Sequence, residues 1–167
     1  MRETERLSAE VDRTVAGDPW YGPSVLKTLE GIDAAAAARH PVPGVHSVWE
    51  LVLHMTAWAH ETTRRLQGGP DASPAEGDWQ LVSGTGAAAW NEAIAALRSA
   101  HRELAETLSQ ARDASLALQV GGDQVDRDGH AVTLHQTVIG LLQHDAYHTG
   151  QIALLKKLLV SEDGRSA

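Results

Sequence analysis

The feature that most constrains this fold is the stretch from Thr133 to about Val160, which runs without a proline and repeats apolar residues at helical spacing. It opens on Thr133-Leu134-His135-Gln136, a capping box in which the Thr oxygen and the Gln amide satisfy free backbone groups at a helix start. A helix of that extent spans about 40 Å at ~1.5 Å per residue. Its stripe of Leu134, Val138, Leu141, Leu142, His148, Ile152, Leu155 and Leu159 must be buried against other helices.

The rest of the chain supplies them. Leu7, Val11 and Val15 stand four residues apart and predict a short lead-in helix ending near Gly17. Asp18-Pro19 reads as an N-cap with proline in the first turn, so a first long helix is expected from there to about Ala38, carrying Trp20, Tyr21, Val25, Leu26, Leu29 and Ile32. Pro41 and Pro43 then force a loop. Ser47-Val48-Trp49-Glu50 is a second capping box, and the helix it opens should run to about Leu66, apolar nearly all round in its first turns. Gly68 to Gly84 is a long loop rich in Gly, Pro, Asp and Ser, suited to covering something or simply to mobility. A third helix follows from Thr85 to Gln110, with Trp90, Ile94, Leu97, His101, Leu104 and Leu108 on one side. Beyond it, Gly121-Gly122-Asp123 and Asp126-Arg127-Asp128-Gly129 are turn chemistry around short extended pieces, a loop or small hairpin. Four long helices and no strand-rich region predict an all-α four-helix bundle with a lead-in helix, in one domain over residues 1–167.

The last helix carries the one His pair at helical spacing, His144 and His148, which project from the same face. Two imidazoles hold a divalent ion poorly, so a third ligand must come from a facing helix. His54 fits best, in mid-helix between Leu53 and Met55, where an unpaired imidazole would be costly. His101, on the inward side of the third helix, is its rival. His40, His46, His60, His130 and His135 fall in loops, helix starts or polar flanks, where solvation explains them. Glu50, four residues before His54, could orient that ring but is explained by its cap; Asp145 could serve as an outer carboxylate too, although it points ~100° away from the neighbouring ligand, where exposure or a helix–helix contact is an equal expectation. Trp58, Tyr147 and Gln151 are candidate walls of the site.

Three neutral imidazoles would leave the ion's charge uncompensated and a coordination position open, where a water or thiol loses its proton near neutral pH. The chain has no cysteine, so a thiol there would be an exogenous small molecule. A net charge of −8 and no Lys/Arg-rich run argue against nucleic acid or an anionic membrane as partner. The polar start of the chain and the lack of a long uncharged apolar run lead us to expect a soluble, cytoplasmic protein.

Two segments also resemble a known family. Gly44-Val45-His46-Ser47-Val48-Trp49-Glu50-Leu51-Val52-Leu53-His54-Met55 with Trp58, and Gln143-His144-Asp145-Ala146-Tyr147-His148-Thr149-Gly150-Gln151-Ile152, are similar to the DinB-like (YfiT-like) superfamily of metal-dependent bundle proteins, as is Trp20-Tyr21-Gly22-Pro23-Ser24. The resemblance implies a DinB-like bundle and a metal triad of His54, His144 and His148, preferring His54 over His101. It implies thiol-dependent activities such as bacillithiol S-transfer and mycothiol-dependent maleylpyruvate isomerisation, and homodimers, for which the exposed apolar parts of the first and third long helices are candidate faces. Related iron-dependent sulfoxide synthases extend the second motif to H-x-x-x-H-x-E; here that position is Gly150, so their chemistry is not expected. The expectation is therefore a divalent-metal enzyme, with zinc or nickel ahead of iron, using a small thiol on an electrophilic small molecule. The alternative is a non-catalytic, stress-associated bundle, which a fourth protein ligand such as His101 would favour.

Overall fold

The structure, a computed structural model, describes residues 1–84, 86–121 and 129–163, the last four of these as helix backbone. Its helices are α1 (Glu3–Ala16), α2 (Val25–Leu29), α3 (Ala34–Ala38), α4 (Val48–Leu66), α5 (Ala87–Gln110) and α6 (Leu134–Asp163). Both capping boxes form. Glu50 N donates to Ser47 Oγ at 3.2 Å while Ser47 N donates to the Glu50 carboxylate at 2.7 Å, so α4 starts at Val48. At α6, Gln136 N donates to Thr133 Oγ1 at 3.2 Å and Thr133 N to Gln136 Oε1 at 2.8 Å.

The architecture is an all-α bundle of α1, α4, α5 and α6, in which α4 packs on α5 and α6, and α1 packs on the same two from the other side. The membership differs from expectation in one place. Residues 18–38 do not form a long helix; they break into α2 and α3 around extended and turn backbone. Gly22 and Gly31 take positive φ of 144° and 79°, and Asp33 accepts from Ala36 N at 2.8 Å to start α3 afresh. Pro23, just before the Ser24 cap of α2, rules out a continuous helix. Trp20, expected on one side of that helix with Val25, Leu29 and Ile32, is fully exposed, whereas those three are buried. The fourth place in the bundle goes to the N-terminal helix, whose Leu7, Val11 and Val15 are all buried.

Between α5 and α6 lies a 3₁₀ turn (Asp113–Ala117) and, among the described residues, a single antiparallel bridge between Gln119 and Thr133. The turn residues expected at Gly122 to Asp128 lie outside the described residues. Asp113 pins the start of α1, accepting from Glu3 N, Thr4 N and Thr4 Oγ1, each at 3.0 Å. The Thr4 and Glu3 amides hold its carboxyl below the usual value. A lowered folded pKa means that the stabilisation is complete above the unfolded value of ~3.9 and is lost as pH falls through the folded one. Asp113→Asn is accordingly expected to lower the melting temperature at pH 7 and to lose less of it than wild type between pH 5 and pH 3, as followed by far-UV circular dichroism.

Apolar side chains fill the bundle in two clusters. One contains Trp49, Val52, Met55, Trp90, Leu97, Ile152 and Leu155, the other Leu7, Val11, Leu104, Leu108, Val138 and Leu141. On α5, buried His101 lies between Leu97 of the first cluster and Leu104 of the second. On α6, buried Asp145, His148 and Thr149 lie between Leu141 and Ile152 in the same way. The bundle thus carries one polar layer across its middle. No helix among the described residues is long and apolar enough to cross a membrane.

Candidate metal centre

That layer brings together the three histidines. His54 from α4 and His144 and His148 from α6 offer ligand nitrogens all within 4.8 Å of one another. His144 Nε2 is 2.8 Å from His54 Nε2 and 3.0 Å from His148 Nε2. Nitrogens ~2.05 Å from one ion stand about 2.9–3.4 Å apart in octahedral or tetrahedral geometry, so these spacings suit a shared cation. His54 and His148 are buried, and the His144 side chain is 26% exposed, leaving the group open on one side.

The other ring nitrogens decide which protons are present. His54 Nδ1 lies 2.6 Å from the Asp78 carbonyl oxygen, and a carbonyl only accepts, so Nδ1 carries the proton and donates. With Gln151 Nε2 donating to the Tyr147 hydroxyl at 3.1 Å, Gln151 Oε1 faces His148 Nδ1 at 2.5 Å and accepts its proton. In both neutral rings Nε2 is then a bare lone pair aimed at His144. Burial holds His148 down to about 4, so its ring stays neutral well below the ordinary histidine value of ~6.5, and burial lowers His54 as well. Lone pairs brought this close repel one another unless a proton on His144 Nε2 or a metal cation sits among them. The donor set, with its outer oxygen partners, therefore fits a divalent metal.

Comparison with known proteins gives the family and the fold. The model of the DinB superfamily matches residues 23–152, a span that includes all three histidines. The chain belongs to the DinB superfamily. Among solved structures, a conserved protein from Enterococcus faecalis is similar, with a TM-score of 0.71 at 17% identity, covering 96% of this chain and 99% of that one. At that identity the likeness is one of fold. No curated protein matches the chain.

In this DinB-superfamily bundle His101 is no fourth ligand. Its Nδ1 donates to the Leu97 carbonyl at 2.8 Å and its Nε2 lies 3.0 Å from Asp145 Oδ2, both groups fully buried. Burial opposes charge on either partner, yet their mutual attraction and hydrogen bonds prevail, raising His101 and lowering Asp145 from their ordinary values. The pair is an imidazolium facing a carboxylate. Glu50 stays with its cap and accepts from His40 Nε2 at 2.9 Å, away from the triad. His60 and His135 pair with Glu76 and Glu3 at the surface.

Sequence reasoning missed the contribution of the loop after α4. Asp78 supplies the carbonyl that orients His54 and also accepts from Trp58 Nε1 at 2.8 Å. Trp79 lies flat on the His54 ring at 3.9 Å, and His46 stacks on its other face at 3.5 Å. His46, expected to be merely solvated, thus helps clamp a cover over the site. The loop's composition suggested a cover, but no periodicity marks which of its residues reach inward. Two cavities flank the triad. One of about 280 Å³ touches Trp58, Gln136, Leu141 and His144, the other of about 340 Å³ touches His46, Trp79, Tyr147 and His148.

Proposed function

We propose that this protein is a divalent-metal enzyme that joins a small exogenous thiol to an electrophilic small molecule, or isomerises such a molecule with the thiol's help. The observation that carries the reading is the set of three Nε2 atoms converging beside a half-open ring, His144, and two cavities of small-molecule size. When bound, a divalent cation supplies Lewis acidity that lowers the pKa of a coordinated thiol. The chain's own residues do the rest. His54 and His148 present lone pairs and keep their protons on the outer nitrogen, and Trp79 shields one side of the site from water. The absence of cysteine in the chain leaves the nucleophile to a co-substrate. Zinc or nickel suits the imidazole set, with iron next.

A fourth protein ligand closing the shell would favour the non-catalytic alternative. His101 was its candidate, and both of its nitrogens are engaged elsewhere. For assembly and location we propose a cytoplasmic homodimer. Among the described residues α5 bears no exposed large apolar side chain, so the favoured faces are Trp20 and the α6 side chains Tyr147, Leu154 and Leu158.

The test is consumption of monobromobimane or 1-chloro-2,4-dinitrobenzene by zinc- or nickel-loaded protein across a panel of cysteine, glutathione, bacillithiol and mycothiol. At least one thiol should react faster with wild type than with His148→Ala. Equal rates for all four thiols would end the thiol-transfer reading.

A further inference from the structure

His144 is the one member of the triad whose outer nitrogen lacks a hydrogen-bond partner. Its Nδ1 is buried and unpaired, and so is Asp145 Oδ1. The two atoms lie 3.5 Å apart, an acceptor-capable oxygen facing a nitrogen able to carry a proton. A shift of a few tenths of an ångström makes this a hydrogen bond of ordinary length. The carboxylate's other oxygen is held by His101, which is in turn anchored on the Leu97 carbonyl.

Stability alone is a poor reason for this arrangement. Burying an ion pair costs desolvation that its attraction barely repays, and apolar replacements of similar volume are often neutral or better. Yet this pair reaches from α5 to α6 through the centre of the bundle, at the level of the triad, with both residues almost wholly inaccessible. The other two histidines set the pattern, since each gives its Nδ1 proton to an oxygen, the Asp78 carbonyl or the Gln151 amide. For His144 the oxygen in the corresponding place is Asp145 Oδ1.

We propose that His101 and Asp145 are positioning residues for the metal centre: Asp145 Oδ1 takes the Nδ1 proton of His144, so that the His144 Nε2 lone pair faces His54 and His148, and His101 holds the carboxylate in that orientation. The proposal rests on the metal reading above. It makes Asp145 the outer partner through which α5, which bears none of the three histidines, reaches the centre. Outer partners of ligating histidines typically contribute ~10–100-fold in metal affinity.

The first arm of the test needs neither metal nor a variant. Long-range ¹H–¹⁵N spectra of metal-free wild type at about pH 8, where imidazole is neutral, should show His144 as the Nδ1–H tautomer; a proton on Nε2 overturns the proposal. The second arm measures zinc affinity by competition with a chromophoric chelator. Asp145→Asn, folded by circular dichroism, should bind zinc about 10–100-fold more weakly than wild type. Unchanged affinity in that folded variant would make the pair merely structural and overturn the proposal. If Asp145→Asn does not fold, the wild-type tautomer decides alone. A wild type that takes up no zinc or nickel sinks the metal reading itself, an outcome distinct from either result on His144.

Discussion

His54→Ala is expected to strip the protein of tightly held metal, even though it leaves the His-x-x-x-His pair of α6 untouched. In wild type, purified without a histidine tag, mass spectrometry should find divalent metal near one equivalent per chain. The loss in the variant should exceed the ~10–100-fold that removal of an outer partner brings, because a ligand and its hydrogen-bonded carbonyl go together. His54 Nε2 stands 2.8 Å from His144 Nε2, and its Nδ1 is tied to the loop through Asp78. Without it, two imidazoles on one helix remain, a set that holds a divalent ion weakly. The side chain sits between two helices with its ring stacked under Trp79, so alanine also removes the floor on which that indole lies. His148→Ala should behave similarly. Metal retained at wild-type level by His54→Ala would show that the cation, if any, lies elsewhere, and the thiol chemistry proposed for the triad would fall with it.

How far the molecule could be read from its residues depended on whether the signal was local. The two capping boxes are local, and both placed their helix starts where the structure has them, Val48 and Leu134. The triad was legible because His54 is an imidazole in an otherwise apolar stretch and His144 and His148 share a helix face, which are statements about spacing and cost, and because the family resemblance preferred His54 to its rival His101. Residues 18–38 misled because their apolar spacing persists while Gly22, Pro23 and Gly31 break the backbone; the stripe is real, but short helices and turns carry it. The place of Asp145 stayed open for a different reason. Position on a helical wheel sets its direction to about 100° from His144, but only the packing of α5 against the core shows that this direction leads to His101. Asp78 and Trp79 lie in a segment without period, where nothing but the folded path brings them to His54.

Trp90→Ala should be among the most destabilising single changes outside the polar layer, by about 3–5 kcal/mol, as for other buried large-to-small aromatic substitutions. Its indole is 2% exposed and packs at 5.1 Å, tilted by 52°, against that of Trp49 on α4. Its Nε1 donates to the Ile32 carbonyl at 2.8 Å, in the stretch between α2 and α3 that no continuous helix supports. Alanine therefore opens a cavity between α4 and α5 and also leaves a carbonyl in the irregular segment without its donor. Trp90→Phe separates the two effects, since it keeps most of the volume and loses the hydrogen bond; it should cost roughly 1–3 kcal/mol, the range for a buried polar group left unpaired. Urea denaturation followed by circular dichroism at 222 nm measures both. If Trp90→Phe were as stable as wild type, the Ile32 bond would contribute nothing, and α2 and α3 would be held by Val25, Leu29 and Ala37 packing on the core and by the Lys156 and Arg39 hydrogen bonds to α6.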